Sequence, residues 1–324
     1  MSISRRHLAA GCLAGLTLAD PISRALAQAA AASEPPAIIP GAALADESAD
    51  VDLMTMTTKE QRLTAPVMIN GQGPYDFLLD TGANKSAIST ALANQLGLER
   101  GRPIRVHTMV GPIQSPSVQL ASLQVGDRFQ RNLNVPVMST PGLRAAGILG
   151  VDWLKGERLS IDFLKERLEI RKPGRAQMET ATIVPARLRS GQLTIIDADL
   201  NGRGRISAMI DSGSEVSIGN NLLRVLATER SPRFEEDMME VSLIDASNRT
   251  FTGEMGFLPF VRIGGVQFGN LPVVFAQTPL LKLWGMEEQP SIMLGMDILR
   301  QFSKVEMDFS QSRVGFTVLE ARRA

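Results

Sequence analysis

From Leu63 onward the chain consists of short apolar runs that are interrupted by Gly, by Asn-Gly pairs and by Pro. Runs of this length between turn-forming residues predict β-strands, and few stretches with helical periodicity exceed two turns. Residues 28–58, by contrast, are rich in Ala, Pro and small polar residues and follow neither the period of a strand nor that of a helix. They predict a flexible leader that acts as a spacer or as an inhibitory segment. We therefore expect a mainly β protein behind this leader.

The first apolar stretch of the chain, residues 8–19, indicates export. Arg5 and Arg6 precede it, and residues 25–27 (Ala-Leu-Ala) provide the small side chains that a signal peptidase needs. The alternative is a membrane anchor, but about 12 apolar residues fall short of the roughly 20 that span a bilayer. We predict that residues 1–27 are a cleaved signal of the twin-arginine type, with the Sec route as an alternative. The mature protein would be periplasmic or secreted, without a stable membrane span.

An internal repeat predicts the architecture. An Asn-Gly pair at residues 70–71 lies ten residues before Asp80, and a second pair at residues 201–202 lies ten residues before Asp211. Asn-Gly favours the reversal of a β-hairpin, because both residues tolerate a positive φ. Each pair is followed by an apolar strand that ends at the Asp. Segments 80–86 and 211–217 then carry identical or chemically similar residues at five of seven positions.

The repeat continues downstream. Residues 148–154 match residues 293–299, and each segment is followed by an Asp-Phe pair. The offset between the copies grows from 131 to 145 residues, which predicts an insertion in the second copy, within 230–245 or near 284–290. Two copies of one unit predict two similar lobes related by a pseudo-twofold axis. We place the lobes at residues 59–172 and 183–324, joined by a linker at residues 173–182 that contains Pro173 and Gly174.

The amino-acid composition limits which partners, catalytic groups and metal sites the protein can have. The 34 basic residues balance the 34 acidic residues, so charge offers no reason to expect nucleic acid or an anionic membrane as a partner. The single cysteine, Cys12, and one of the two histidines, His7, lie in the predicted signal, which leaves His107 alone. Thiol catalysis, disulfide frameworks and zinc sites with several His or Cys ligands are thereby excluded. We expect carboxylate chemistry without a metal or another cofactor.

Both repeats carry a compact motif: Asp-Thr-Gly-Ala at residues 80–83 and Asp-Ser-Gly-Ser at residues 211–214, each followed later by two apolar residues and a Gly. This pattern resembles the pepsin/retropepsin superfamily of aspartic proteases over residues 62–320. The Leu-Gly-x-Asp-x-Leu and Asp-Phe segments look most like bacterial retropepsin-like proteins, duplicated here within one chain. The resemblance implies two β-barrel lobes with an active-site cleft between them, and an exported endopeptidase that acts on extended polypeptides. Since one chain supplies both loops, catalysis would not require a dimer.

The motif assigns the candidate site residues. Two carboxylates about 3 Å apart can share one proton and thus supply both the base and the acid of amide hydrolysis. We expect Asp80 and Asp211 to be this dyad. The resemblance implies that hydroxyl groups of each loop bond the opposite loop and that the glycines approach the carboxylates. It also implies that the Ser214 hydroxyl bonds a carboxylate and makes the two halves of the dyad unequal. The supporting residues of both loops are Thr81, Gly82, Ala83, Ser212, Gly213 and Ser214.

Other positions receive structural interpretations. Gly150 and Gly295 are expected to pack beneath the loops, where a side chain would not fit. Flap tips are predicted near residues 110–112 and 246–249, and His107 is predicted to lie on the surface or on a flap strand. Asp152 and Asp297 are interpreted as helix or turn caps, because an isolated Asp before such a turn usually caps backbone N–H groups.

Two other functions stay open from the sequence. A catalytically silent peptide-binding protein would use the same scaffold, although both loops keep their Asp, hydroxyl and Gly residues. A glycosidase would also use paired carboxylates, but these must lie about 5 Å or more apart. Paired Asp-Thr/Ser-Gly loops do not favour that separation.

Overall fold

The computed structural model describes residues 51–55, 63–139, 145–172, 178–180, 182–189, 191–200 and 202–318. The predicted signal, most of the predicted leader, and Pro173 and Gly174 of the predicted linker lie outside these residues. Within them the chain is mainly β, as the sequence predicts, and the helices are short. In the described part of the chain, no helix has the length and apolar character that crossing a membrane requires.

Among the described residues, the N-terminal half contains eleven strands and one short α-helix, α1 (Thr90–Gln95), followed later by a 3-10 turn at Val151–Trp153. The strands are β1 (Val51–Thr55), β2 (Thr64–Ile69), β3 (Gln72–Leu79), β4 (Ala87–Ser89), β5 (Ile104–Thr108), β6 (Gly111–Ser115), β7 (Ser117–Val125), β8 (Arg128–Met138), β9 (Gly147–Leu149), β10 (Arg158–Asp162) and β11 (Arg167–Arg171).

The described part of the C-terminal half contains ten strands and three α-helices, α2 (Asn221–Arg230), α3 (Pro279–Leu283) and α4 (Met296–Leu299), with a 3-10 turn at Pro232–Glu235. The strands are β12 (Thr182–Arg189), β13 (Gln192–Leu200), β14 (Arg203–Ile210), β15 (Ile218–Gly219), β16 (Met239–Ile244), β17 (Thr250–Ile263), β18 (Val266–Phe275), β19 (Ser291–Leu294), β20 (Phe302–Asp308) and β21 (Arg313–Val318).

Each half forms a six-stranded barrel with the same strand order. In lobe one the closed order is β2-β3-β9-β4-β8-β7. In lobe two the order β13-β14-β19-β15-β18-β17 closes through the pairing of β13 with β17. In both barrels the Asp-ending strand pairs in parallel with the strand of the apolar-Gly motif, β3 with β9 and β14 with β19. The predicted two-lobed β-barrel fold is confirmed.

Turn chemistry explains why the first hairpin forms where the sequence predicts. Asn70 and Gly71 adopt φ angles of 51° and 77°, and they connect β2 to β3. Positive φ at both positions matches the twist of the flanking strands. In the second copy Gly202 has a φ of 70° between β13 and β14, whereas Asn201 lies outside the described residues.

The sheet of lobe two continues past β13 into six strands that join the lobes. These strands follow the order β1-β11-β10-β20-β21-β12, and the central pair, β10 with β20, brings one strand from each lobe together. Arg158 on β10 forms an ion pair with Asp308 on β20, with an Nη2 to Oδ2 distance of 2.9 Å, and both side chains are buried. The strand β1 lies within the predicted leader, residues 28–58. Residues 51–55 of the predicted flexible leader are therefore a strand of this sheet, which corrects the flexible interpretation for that stretch.

Lobe two carries an insertion at the second of the two predicted regions. Residues 276–290, which include α3, separate β18 from β19, whereas the shorter segment 139–146 separates β8 from β9. At the first predicted region, residues 231–238 between α2 and β16 match in number residues 96–103 between α1 and β5. Trp284 and Met286, which follow α3, are buried in a cluster with Met293. The insertion therefore packs beside the barrel, where it reaches the cleft described below.

Candidate active site

The two Asp-containing loops meet between the barrels. Asp80 directly follows β3, and its N–H donates to Leu149 O at 3.0 Å. Asp211 directly follows β14, and its N–H donates to Leu294 O at the same distance. Each carboxyl group is thus placed at the end of a buried strand that is tied to the neighbouring apolar-Gly strand.

Hydroxyl groups connect the loops crosswise. Thr81 Oγ1 donates to Ile210 O at 2.9 Å and accepts from Ser212 N at 3.0 Å. Ser212 Oγ donates to Leu79 O at 2.8 Å and accepts from Thr81 N at 3.1 Å. Both side chains are buried, so no water competes for these bonds. The predicted cross-loop hydrogen bonds are present, and they fix the two loops relative to each other.

Each glycine of the motif lies against the carboxyl group of the other loop. A Cβ atom on Gly82 would stand 2.6 Å from Asp211 Cγ, and a Cβ atom on Gly213 would stand 2.2 Å from Asp80 Cγ. Both distances are far below van der Waals contact. Glycine is therefore required at both positions, and the two Asp side chains lie on one side of the paired loops.

Hydrogen bonds and burial determine how readily the Asp80–Asp211 pair ionises. Asp80 Oδ1 accepts from Gly82 N at 2.8 Å and from Ala83 N at 3.0 Å, and Asp211 Oδ1 accepts from Gly213 N at 3.0 Å. Burial, the charge of Asp80 and a hydrogen bond with Asp80 raise the pKa of Asp211 well above its ordinary value, against the backbone N–H groups of the loop. The pair therefore retains a proton in a pH range in which an isolated Asp is ionised.

Ser214 does not play the role that the sequence predicts. The Ser214 hydroxyl donates to Val216 O at 2.7 Å. Its single proton is therefore used within the same loop. The Ser214 backbone N–H, and not the side chain, acts on the pKa of Asp211. The prediction that the Ser214 hydroxyl makes the two halves unequal is therefore wrong for this structure.

Asp152 and Asp297 anchor the ends of the two loops. Asp152 Oδ1 accepts from Ser86 Oγ at 2.8 Å, and Ser86 Oγ accepts from Gly150 N at 3.1 Å. In lobe two, Asp297 Oδ1 accepts from Ser217 Oγ at 2.7 Å. Neither carboxyl group lines the cleft. As the sequence interpretation predicts, both carboxyl groups cap backbone N–H groups: Asp152 accepts from Ser86 N at 3.0 Å, and Asp297 accepts from Ser217 N and from Ile298 N, both at 2.9 Å. Each carboxyl group also binds the hydroxyl of the Ser that ends its Asp loop.

The same anchoring sites contain the two predicted glycines. A Cβ atom on Gly150 would lie 2.8 Å from Ala83 O, and one on Gly295 would lie 2.6 Å from Val216 O. The prediction that no side chain fits there is confirmed. Burial raises the pKa of Asp297 to about 6, although hydrogen bonds from Ser217 act in the opposite direction.

Two β-hairpins cover the cleft. Strands β5 and β6 form the first, with its turn at residues 109–110, and β16 with the start of β17 forms the second, with its turn at residues 245–249. These turns coincide with the predicted flap tips to within two residues. His107 is exposed on β5, as predicted. Each tip packs against the opposite lobe: Met109 joins an apolar cluster of lobe two, and Ala246 joins one of lobe one.

Polar contacts join the two flaps. Arg249 Nη2 donates to Thr108 Oγ1 at 2.7 Å and to Gly111 O at 2.8 Å. Val110 N donates to Asp245 Oδ2 at 3.4 Å. The sequence places Arg249 at a flap tip, but these contacts of Asp245 and Arg249 could not be predicted, because their partners lie more than 130 residues away along the chain. The structure thus has its flaps closed over the cleft.

Beneath the flaps lies a cavity of about 490 Å³ that reaches both Asp80 and Asp211. Its walls are mainly apolar and come from both lobes, including α3. The apolar lining includes Ala87, Met138, Ile148, Val216, Ile218, Leu280 and Met293. Among the described residues, no group of three or more His, Cys, Asp or Glu side chains could hold a metal ion.

Two matched barrels, crosswise loops and a carboxyl pair at the floor of a covered cleft define the architecture of an aspartic protease. Comparison with protein families supports this class. Residues 65–156 match the family described as "gag-polyprotein putative aspartyl protease", and residues 196–298 match the family described as "Aspartyl protease". Each match lies within one lobe. The chain is therefore a two-lobed aspartic-type endopeptidase of the pepsin/retropepsin kind, and its substrates are polypeptides.

Comparison with solved structures supports the fold. The aspartic proteinase from Irpex lacteus superposes with a TM-score of 0.50 at 12% sequence identity, and the match covers 85% of this chain and 99% of that one. At this identity the likeness concerns the fold alone. No curated protein sequence matches the chain.

Proposed function

We propose that the protein is an exported endopeptidase in which Asp80 and Asp211 share a proton and activate a water molecule to cleave extended polypeptides. The observation that carries this proposal is the crosswise packing of the two loops. Each glycine meets the opposite carboxyl group, and burial together with the neighbouring charge raises the pKa of Asp211. Such an arrangement supplies a base and an acid in one place.

The mechanism needs one ionised and one protonated carboxyl group. The ionised group removes a proton from water, and the water oxygen attacks the carbonyl carbon of the scissile amide. The protonated group meanwhile donates its proton to the carbonyl oxygen, which yields a neutral tetrahedral intermediate. Collapse of this intermediate breaks the C–N bond as the nitrogen receives a proton from the dyad, while one hydroxyl of the intermediate gives its proton to the other carboxylate, which forms the product carboxyl group and restores the shared proton. The proton belongs to the pair as a whole, so neither Asp is assigned a fixed protonation state.

The shape of the cleft supports an extended substrate. Flap strands lie above the cavity and the Asp loops below it, so backbone N–H and C=O groups are available along both sides of a peptide. Apolar residues on both walls favour apolar side chains near the scissile bond. The cavity of about 490 Å³ accommodates a short peptide segment, and longer substrates require the flaps to open.

The export proposal rests on the N-terminal pattern of Arg5, Arg6 and the apolar residues 8–19. Expression of the full chain in a bacterial host should yield a periplasmic protein whose first residue follows Ala27. Replacement of both arginines by lysine should leave the precursor uncleaved in the cytoplasm. Processing of this variant at the normal rate would argue against the twin-arginine route.

The catalytic proposal is tested with residues 28–324 and the variants Asp80→Asn and Asp211→Asn. Each protein is incubated with a mixed peptide library between about pH 4 and 7, and cleavage is followed by mass spectrometry. We expect cleavage by the unmodified protein and its loss in both variants. Circular dichroism shows that the variants are folded. Cleavage that survives in both variants would refute the dyad.

A second, shorter protein distinguishes an enzyme that its leader inhibits from a catalytically silent protein. Residues 51–324 lack the first part of the leader but retain β1, which pairs with β11 in the sheet between the lobes. Cleavage by the shorter protein alone would identify residues 28–50 as inhibitory. Absence of cleavage by both folded proteins would favour the peptide-binding alternative.

A further inference from the structure

The charged side chains that line the cleft are segregated by lobe. Apart from the dyad, lobe one contributes Lys85, Arg105 and His107, and lobe two contributes Glu215 and Asp245. Basic side chains thus line one half of the cleft and acidic side chains line the other. A neutral chain with equal numbers of both charges has no general bias that would produce this separation.

Lys85 and Glu215 sit on the Asp loops themselves. Lys85 is exposed, and within the described residues it forms no hydrogen bond or ion pair. Its counterpart in the repeat is Val216, which is buried, while the counterpart of Glu215 is Asn84. The two loops therefore carry opposite charges, five residues after Asp80 in one and four residues after Asp211 in the other.

The loop anchors place these two charges on opposite sides of the dyad. Ser86, next to Lys85, is bound to Asp152 of lobe one. Ser217, two residues after Glu215, is bound to Asp297 of lobe two. Each loop thus turns back into its own barrel after the crosswise contact. A peptide that extends across the dyad passes the Lys85 side on one flank of the scissile bond and the Glu215 side on the other.

We propose that Lys85 and Glu215 are specificity-determining residues that select peptides with an acidic side chain on one flank of the scissile bond and a basic side chain on the other. This inference rests on the proposed function and deepens it by naming the substrate class. Opposite charges at the two flanks also fix the direction in which the peptide lies, because the reversed peptide brings like charges together.

The test uses three peptides with the same apolar cleavage site. One carries Glu on the amino-terminal flank and Lys on the carboxy-terminal flank, the second carries them in reverse order, and the third carries Gln on both flanks. We expect kcat/KM for the two charged peptides to differ at least fivefold, a factor that a pair of partly exposed ion pairs can supply. This ratio should approach one in 0.5 M NaCl, because salt screens exposed charges.

Charge reversal provides the decisive comparison. The double variant Lys85→Glu/Glu215→Lys should invert the ratio between the two charged peptides. Lys165→Glu, which reverses an exposed lysine outside the cleft, should leave the ratio unchanged. The ratio compares two peptides on one protein, so a change in the titration of the dyad cancels.

Equal cleavage of both charged peptides, or a ratio that survives the double reversal, would overturn the inference while leaving the protease intact. Failure to cleave even the neutral peptide would instead count against the proposed function. In that case, binding of the two charged peptides to Asp80→Asn, measured by fluorescence anisotropy, tests the selection without catalysis. Equal affinity there would overturn the inference as well.

Discussion

Replacement of Gly213 by alanine tests the geometry of the dyad directly. The added Cβ atom would stand 2.2 Å from Asp80 Cγ and 2.4 Å from Asp80 Oδ1. Ordinary contact requires about 3.4 Å or more, so the carboxyl group or the loop must move by roughly 1 Å. A misplacement of this size can cost about 100-fold in rate, and overpacking costs about 1–3 kcal/mol of stability.

The assay compares kcat on one cleaved peptide with the free energy of unfolding in urea. We expect kcat to fall at least about 100-fold, while the variant stays folded. Gly82→Ala should have a smaller effect, since its Cβ atom would lie 2.6 Å from Asp211 Cγ. Gly269→Ala is the matched control, because its nearest contact would be 3.7 Å. A Gly213→Ala protein with nearly normal kcat would refute the reasoning.

Three further predictions concern stability and flap closure. Arg158→Ala leaves buried Asp308 without its ion-pair partner and should lower the unfolding free energy by about 3–5 kcal/mol, measured in urea against Lys165→Ala; a loss below 1 kcal/mol would contradict it. The raised pKa of Asp297 means that the folded state binds more protons than the unfolded state between about pH 4 and 6, so this group should lower stability by up to about 3 kcal/mol as pH rises through that window; Asp297→Asn should reduce the fall by this contribution, while the raised pKa values of Asp211 and Glu306 leave a fall of the same sign, and an unchanged pH dependence would argue against it. Arg249→Ala removes two hydrogen bonds between the flaps and should speed hydrogen exchange of residues 108–111 about tenfold, whereas an unchanged rate would show that these bonds do not hold the flaps closed.

The repeat made much of the fold predictable. Asn70 and Gly71 carry local turn chemistry, and the apolar strand that ends at Asp80 has a counterpart that ends at Asp211. Both signals are short in range, so they can be identified in one sequence. Because the two copies share a register, a single barrel order applies to both. The cross-loop hydrogen bonds of Thr81 were expected from the resemblance to the aspartic proteases, which the same motif carries.

Long-range contacts were not predictable in this way. The strand β1 belongs to a segment whose composition indicates a leader, and it is ordered by pairing with β11 more than 110 residues later. The contact between Arg249 and Thr108 depends on how closely two separate flaps approach. The Ser214 hydroxyl donates to Val216 O, an acceptor set by the path of the backbone, which the motif alone does not reveal.

The presence of both Asp loops on one chain has a thermodynamic consequence. A carboxyl pair formed between two separate subunits exists only while the subunits are associated, so its activity per molecule declines on dilution. Here the loops meet within one polypeptide, and the pairing of β10 with β20 joins the halves that carry them. Assembly of the site is therefore a unimolecular equilibrium. Specific activity should remain constant at protein concentrations far below those at which a weakly associated dimer dissociates.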